Sequence, residues 1–557
     1  MRKLTTLLIL SISLSSFSQN QLLAQKFDSI LSTYKSKDKP GLAAGVLQNG
    51  KLLYLKSFGV EDIETKNLIS LQTKFQVGDI AKQFTVLAIL LLEQEGKLSL
   101  EDDVRKYLPN LPEYKYTLKV KHLVNHTSGL HNLEPIKELL SIRENDLFTQ
   151  EDAVKIISAQ QKLNFKPGTQ FSYHYSATEV ILMVEIVKSV SKISFEEFTK
   201  KQLFEPLDMK NTSFDISRSM LTNLAKSYSI REKITYNPVN DLTLGVNNLY
   251  TTAEDFAKWF QHYDADNQLS DLVKKLDNYV KLDSGKEYNS TWGKVTLGRY
   301  FDHPERGLLK MSWQYGLIGG YGANFFRYQS HNLVTFVLGN NNRYNGMPAG
   351  NLGNLILEKE FTEPAEIDYS KIDFKSLSTN QLKKFEGVYW NKKNSLVRKI
   401  YFKNDTLRYK RLSNNLETPL LALSNNKFQF YVAGDTEVIV TFKDDNTFEF
   451  SSLNSDASIY EKIDLVDKSK LNLSDYTGRY FNKEYDIILN FSIKENALIV
   501  SSFKTDSITF YPIIKDAFRS NTYMYSGVQF IRKDNIVYGF KMNTDGVKDL
   551  IFNKIKS

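Results

Sequence analysis

The sequence predicts a mixed α/β domain, with an antiparallel sheet and a helical region, followed by two small all-β modules, either barrels or sandwiches. Three observations carry that expectation. First, two apolar runs flank Asn49-Gly50 in "GLAAGVLQNGKLLYLKSFG", the strongest short-range hairpin signal. Second, helix-spaced apolar residues recur after that hairpin, up to about residue 360. Third, beyond that point helix signals stop, and short aromatic and β-branched runs alternate with Asn- and Asp-containing turns.

In chain order, the spacing of Phe84, Leu87, Ala88, Leu91 and Leu92 predicts a long helix from Asp79 to Glu95, closed by Gly96. "EVILMVEIVKSVSK" and "TTAEDFAKWFQHY" also read as helices, the second with Thr251 or Thr252 as its N-cap. "NLVTFVLGNNN" reads as a buried strand ending in a turn. Hairpin, helices and returning strand together give a first domain over residues 25–360. Residues 361–380 carry the features of a linker. The remainder contains an internal echo. "LKKFEGVYWNKKNSLVRKIYFKNDTLRY" resembles "LSDYTGRYFNKEYDIILNFSIKENALIV", with F/Y-x-G-x-Y in each and Gly387 and Gly478 separated by 478 − 387 = 91 residues. Each copy continues with strand, charged turn (Asn404-Asp405, Glu495-Asn496) and strand. The expectation is two modules, 381–467 and 471–557, with one larger barrel as the alternative.

The chain has 557 residues, too many for one ordinary domain, and 13% of them are aromatic, which favours a large β content. Its N-terminus, "MRKLTTLLILSISLSSFSQN", places two positive charges before a short apolar run and small residues, the pattern of a secretory signal peptide over residues 1–19. The mature chain is therefore expected to be exported, periplasmic or extracellular, with no transmembrane segment, since no other apolar run approaches spanning length. Removing Arg2 and Lys3 takes the formal charge from +8 to +6, and the lysines are interspersed with acids, so no nucleic-acid partner is expected. With no cysteine there is no disulfide framework, thiol nucleophile or lipid-modified cysteine. Nothing calls for a cofactor or metal.

Six segments carry a family resemblance: "FQVGDIAKQFTVLAILLLEQEGKLSLEDDVRKYLPNLP", "VKHLVNHTSGL", "PGTQFSYHY", "LFEPLDMKNTSF", "NNLYTTAEDFAKWF" and "GGYGANFF…LVTFVLGNNN". From about Gly41 to Asn342 the chain resembles the serine β-lactamase and penicillin-binding-protein superfamily, in particular its esterase and D-aminopeptidase-like branch. The resemblance implies a β-lactamase/transpeptidase-like first domain. It also implies three motifs. In S-x-x-K, serine and lysine share one helix face. Y-x-N supplies a tyrosine that moves the proton and an amide that holds substrate. A late K-T-G or H-x-G lies on a strand edge. The activated serine attacks a carbonyl, and backbone N–H groups stabilise the oxyanion.

This sequence departs from the pattern at all three. It reads "DIAK", keeping Lys82 and placing Asp79 where the serine stands. Carboxylate and ammonium three residues apart are expected to pair, which makes the lysine a counter-ion instead of a free base. In "FSYHYS", spacing from Pro167-Gly168 puts Tyr173 on the family tyrosine and Tyr175 on the asparagine; a shift of two makes Tyr175 the tyrosine and Ala177 the third position. The amide is missing either way. Counting back from "GGYGANF" puts Gly316 where the histidine or lysine belongs and Ile318 where the glycine belongs, and His303 is too far back to substitute.

His122, His126 and His131 lie close in sequence, but the segment resembles the family's H-T-S-G-L turn and lacks acidic or cysteine ligands, so local structure is the better account. The leading expectation is a non-hydrolytic pseudoenzyme retaining a cleft for a peptide, cell-wall fragment or small acyl compound. Two other readings stand beside it. One is a genuine hydrolase using Ser128, Ser172 or a water activated by Asp79. The other is an interaction protein acting through its C-terminal β-modules.

Overall fold

The computed structural model describes residues 21–556 apart from 173–175, 218–220, 263–268, 291–292, 299, 307–308, 343–347, 359, 361–365, 394, 413, 435–436, 453–456, 468–469, 503–506, 521 and 523–526. The expected signal peptide thus lies outside the described residues. The hairpin forms as the sequence predicts: β1 (Leu42–Gln48) turns through Asn49 (φ 51°) and Gly50 (φ 69°) into β2 (Lys51–Phe58). Positive φ at both turn residues matches the right-handed twist of the strands it joins. The chain returns late to finish the sheet with β3 (Leu309–Ile318), β4 (Tyr321–Tyr328) and β5 (Leu333–Gly339). The spatial order is β2-β1-β5-β4-β3, and three short strands extend it to eight. Every pair in it is antiparallel.

Four helices position the site or its neighbours: α1 (Lys82–Gln94), α2 (Leu133–Leu139), α3 (Thr178–Ser191) and α4 (Ala253–Gln261). Every residue of α1 from Lys82 to Leu92 is buried, so it is a central helix of the domain and not a surface one. It begins later than its apolar spacing predicts, because Gly78–Ala81 form a 3₁₀ turn before it. Gly96 closes it with φ 67°, as expected of a C-terminal glycine. Of the two candidate caps for α4, Thr252 takes the role and accepts from the Asp255 N–H.

The two C-terminal modules are closed eight-stranded antiparallel barrels, one running from Gly387–Asn391 to Ser458–Ile463, the other from Gly478–Asn482 to Val547–Ile555. Closure leaves neither barrel with an unpaired edge. The repeated F/Y-x-G-x-Y motif has a physical reason in both. The Tyr389 hydroxyl donates to the Phe385 carbonyl at 2.9 Å and that of Tyr480 to the Tyr476 carbonyl at 2.8 Å. The intervening glycine leaves room for a lysine stem from the last strand: a Cβ on Gly387 would come within 2.4 Å of Lys462, and one on Gly478 within 2.9 Å of Lys554. Each lysine then reaches over the motif tyrosine, at 5.9 and 5.6 Å from the ring. The turns Asn404-Asp405 and Glu495-Asn496 have positive φ throughout.

The described part of the expected linker is laid along the first barrel, with Ile367 N–H on the Gly434 carbonyl and the Tyr369 hydroxyl on the Phe430 carbonyl. The second barrel docks on the first domain. Ile136 and Leu139 of α2 belong to the same apolar cluster as its aromatic core.

Candidate functional site

Asp79 and Lys82 are placed by a strand, a glycine and a change of helix type. Phe75 and Gln76 pair with Thr251 and Tyr250, which fixes the chain just before the turn. Gly78 then takes φ 52°, a conformation that side chains disfavour, and the 3₁₀ turn runs directly into α1. Asp79 and Lys82 end on one face, with the lysine Nζ 2.6 Å from the aspartate Oδ1. The lysine side chain is 4% exposed and the aspartate 27%, so the cation is sealed while the anion touches solvent. The helix start is held from behind: Gln83 donates to the Ile80 carbonyl at 3.0 Å, and the Trp259 indole donates to the Gln83 side-chain oxygen at 3.0 Å.

β3 closes on this turn from the front. A Cβ at Gly316 would lie 1.9 Å from the Val77 carbonyl oxygen and 3.0 Å from the Asp79 nitrogen. Gln314, one pleat earlier on the same strand face and 3% exposed, donates from Nε2 to the Asp79 carbonyl at 3.0 Å. Its Oε1 is buried without a hydrogen-bond partner among the described residues. The strand residues that meet the turn are therefore two positions earlier than the spacing along the chain predicts. Gly316 cannot stand where a histidine or lysine side chain projects, because backbone fills that space. The strand residue with room for a side chain at the turn is Gln314, and the place where only glycine fits is Gly316, not Ile318. Ile318 is half-buried against the main apolar core and paired with Tyr321. His303 pairs with Met311 on the next strand, away from the Gln314–Gly316 stretch.

Tyr173, His174 and Tyr175 lie outside the described residues. The segment leading to them is laced to the turn after His122. Asn164, Gly168 and Ser172 donate their N–H groups to the carbonyls of Gly129, Thr127 and His126 at 2.7, 2.9 and 2.8 Å. Within this turn Ser128 is fully buried and donates to the Glu179 carboxylate at 2.7 Å, while its own oxygen accepts from the Leu130 N–H at 3.1 Å. His126 Nδ1 stands 3.1 Å from the other Glu179 oxygen. The carboxylate therefore lies between serine and histidine, and the serine proton goes to Glu179. Ser172 is 6% exposed and 3.4 Å from Ser128. Both hydroxyls are built into the scaffold.

The three histidines take separate partners. His122 Nδ1 accepts from the Lys119 N–H at 3.1 Å and its Nε2 is 3.4 Å from Asp283. His131 Nδ1 lies 2.8 Å from the Tyr485 hydroxyl of the second barrel. Burial holds both His122 and His131 below the usual imidazole range, His131 at about 3. No group of three His, Cys, Asp or Glu side chains that could hold a metal occurs among the described residues.

The family model for Beta-lactamase matches residues 23–357, more than half of the chain. The chain belongs to the Beta-lactamase family. Protein flp of Staphylococcus aureus (strain N315) is 28% identical over 270 residues, covering 47% of this chain and 51% of flp. PbpX of Bacillus subtilis (strain 168) is 29% identical over 221 residues, covering 39% of this chain and 53% of PbpX. The chain thus spans about half the length of the curated relatives it matches. Among solved structures, the octameric penicillin-binding protein homologue from Pyrococcus abyssi superposes with TM-score 0.53 at 22% identity, over 79% of this chain and 99% of that one. That likeness is one of fold. In this member of the Beta-lactamase family, Asp79 lies in the 3₁₀ turn that leads directly into the central helix.

Proposed function

We propose that this protein is an exported, non-hydrolytic member of the Beta-lactamase family whose cleft at Asp79 binds a peptide, cell-wall fragment or small acyl compound without covalent turnover. The observation that carries the reading is the 2.6 Å Asp79–Lys82 pair. Serine catalysis of acyl transfer needs a hydroxyl that can be deprotonated by a neighbouring base. Here the position holds a carboxylate, and the sealed lysine is its counter-ion. Attack by Asp79 on an ester or amide would give a mixed anhydride, not the ester that a serine forms. The neutral Gln314, committed to the Asp79 carbonyl, adds a second departure at the strand motif, which on this reading is Gln314-Tyr315-Gly316. The burial of Ser128 and Ser172 weighs against a substitute nucleophile.

The test is intact-mass analysis of the purified protein after incubation with a penicillin and, separately, a fluorophosphonate, beside an active serine relative. The expected result is an unmodified mass for this chain and a labelled relative. A stoichiometric adduct, located by peptide mapping, would overturn the reading and name the nucleophile.

A further inference from the structure

A cleft is formed where the first domain meets the second barrel. The walls of the junction are fixed by main-chain groups. The turn between the last two strands of the barrel presents the Gly546 carbonyl to the Asn132 N–H at 2.9 Å and to the Asn164 amide at 2.9 Å. The Lys548 N–H returns a bond to the Asn164 side-chain oxygen at 2.8 Å. Beside this seam is a cleft of ≈ 820 Å³, open to solvent.

Its charged lining is unbalanced. Lys162 comes from the first domain and Lys483, Lys541 and Lys548 from the barrel, against Glu484 and Asp549. Asp549 is taken up by Lys541, at 3.8 Å, and Glu484 accepts from the Gln161 N–H at 2.8 Å. Among the described residues Lys162, Lys483 and Lys548 form no ion pair within 4.0 Å, and Glu484 and Asp549 act on Lys162 and Lys548 only from a longer range. Lys548 is half-buried, and burial together with repulsion from Lys393 of the first barrel lowers its proton affinity. Ammonium groups from separate units thus face one cleft, where their fields add; Lys162 and Lys483 are exposed, so added salt screens them.

We propose that this cleft binds an acidic peptide segment, with its carboxylates held by Lys162, Lys483 and Lys548. The lining favours a peptide over a nucleic acid or a sugar. It holds no Phe, Tyr or Trp on which a base or a pyranose ring could stack, and no arginine to fork onto a phosphate. The preformed walls reduce the ordering cost of binding. This site is separate from the one at Asp79 and does not rest on it.

The test is fluorescence anisotropy of a fluorescein-labelled hexaglutamate titrated with the full chain at low ionic strength. The cleft variant Lys162→Ala/Lys483→Ala/Lys548→Ala is compared with a control that loses the same charge elsewhere, Lys51→Ala/Lys200→Ala/Lys274→Ala. The cleft variant is expected to bind at least tenfold more weakly, the control within twofold of the parent, and the parent progressively more weakly as salt is added. Circular dichroism melts of all three proteins keep a folding defect from being read as lost binding. If a cleft variant melts early, Lys483→Glu alone, on an exposed residue, replaces it. Equal loss in both variants, or no binding by the parent, overturns the site. Tighter binding of a single-stranded oligonucleotide or polyphosphate of equal charge, lost in the same variant, overturns the peptide assignment.

Discussion

The Lys82 ammonium lies 2.6 Å from the Asp79 carboxylate, one turn earlier at the start of the central helix, and only the aspartate retains contact with solvent. Removing the anion strands a buried cation. Breaking a buried pair from one side typically costs 3–5 kcal/mol, and the partial exposure of Asp79 reduces this. Asp79→Ala is therefore expected to cost about 2–4 kcal/mol in urea unfolding. Asp79→Ala/Lys82→Met, which removes both charges, should recover most of it. An unchanged midpoint for the single variant would show that water or another group already neutralises the lysine.

Restoring the nucleophile alone is expected to leave the site inert. Asp79→Ser supplies a hydroxyl beside Lys82, but the neutral amide of Gln314 still occupies the strand face against that turn. Fluorophosphonate labelling of Asp79→Ser should remain at background, and rapid labelling would show that the strand and tyrosine positions do not limit the chemistry.

The strand register can be checked through stability. Gly316→Ala places a methyl against the Val77 carbonyl, whereas Ile318→Ala only removes apolar contacts from a half-buried position. Overpacking of this kind costs about 1–3 kcal/mol, and here the obstacle is backbone that cannot rotate away, so the upper end is expected. If the thermal midpoint of Gly316→Ala equals that of the parent, β3 does not sit against the turn.

The interface histidine predicts a pH dependence with a definite sign. His131 is buried beside Tyr485 and held at about 3, against an ordinary value of 6.5. Between those values the unfolded chain binds a proton that the folded chain does not, so stability falls as pH is lowered through that window. The slope from this residue approaches about 1.4 kcal/mol per pH unit. Stability curves at pH 7 and pH 5 should converge in His131→Gln relative to the parent. Parallel curves would mean that the imidazole is already accessible to protons when folded.

The two barrels offer an internal comparison. Arg398 is buried in the first, with its Nε on the Tyr409 hydroxyl at 2.6 Å. The strand registers place Leu489 and Val500 at the corresponding positions of the second, both buried. Arg398→Leu leaves the Tyr409 hydroxyl without that donor and should cost about 1–3 kcal/mol. Arg398→Leu/Tyr409→Phe removes both polar partners, keeps the ring packed on Phe430 and should regain most of the loss. A double variant less stable than either single one would show that the barrels fill their interiors by different rules.

Much of this architecture was legible because its signals are local. Asn49-Gly50 sets its own turn, the apolar spacing after Phe84 sets its own helix, and the paired F/Y-x-G-x-Y stretches announce a repeat before either barrel is seen. The pairing of Asp79 with Lys82 is likewise readable, since residues three apart on a helical turn share one face. The motif on β3 is not local in this sense. Spacing from the next turn points to Gly316 and Ile318, whereas the side chain that reaches the helix start is selected by packing against residues far away in sequence.

Residue identity and short spacings alone were enough for the family, the hairpin, the repeat and a carboxylate at Asp79 able to pair with Lys82. Tertiary structure decided that Gly316 and Gln314, not Ile318, meet the turn, that Ser128 is bound to Glu179, and that α2 completes the apolar cluster of the second barrel. Each depends on which surfaces come within van der Waals or hydrogen-bond distance. Steric exclusion and burial set those distances, and neither is encoded in any one stretch of chain.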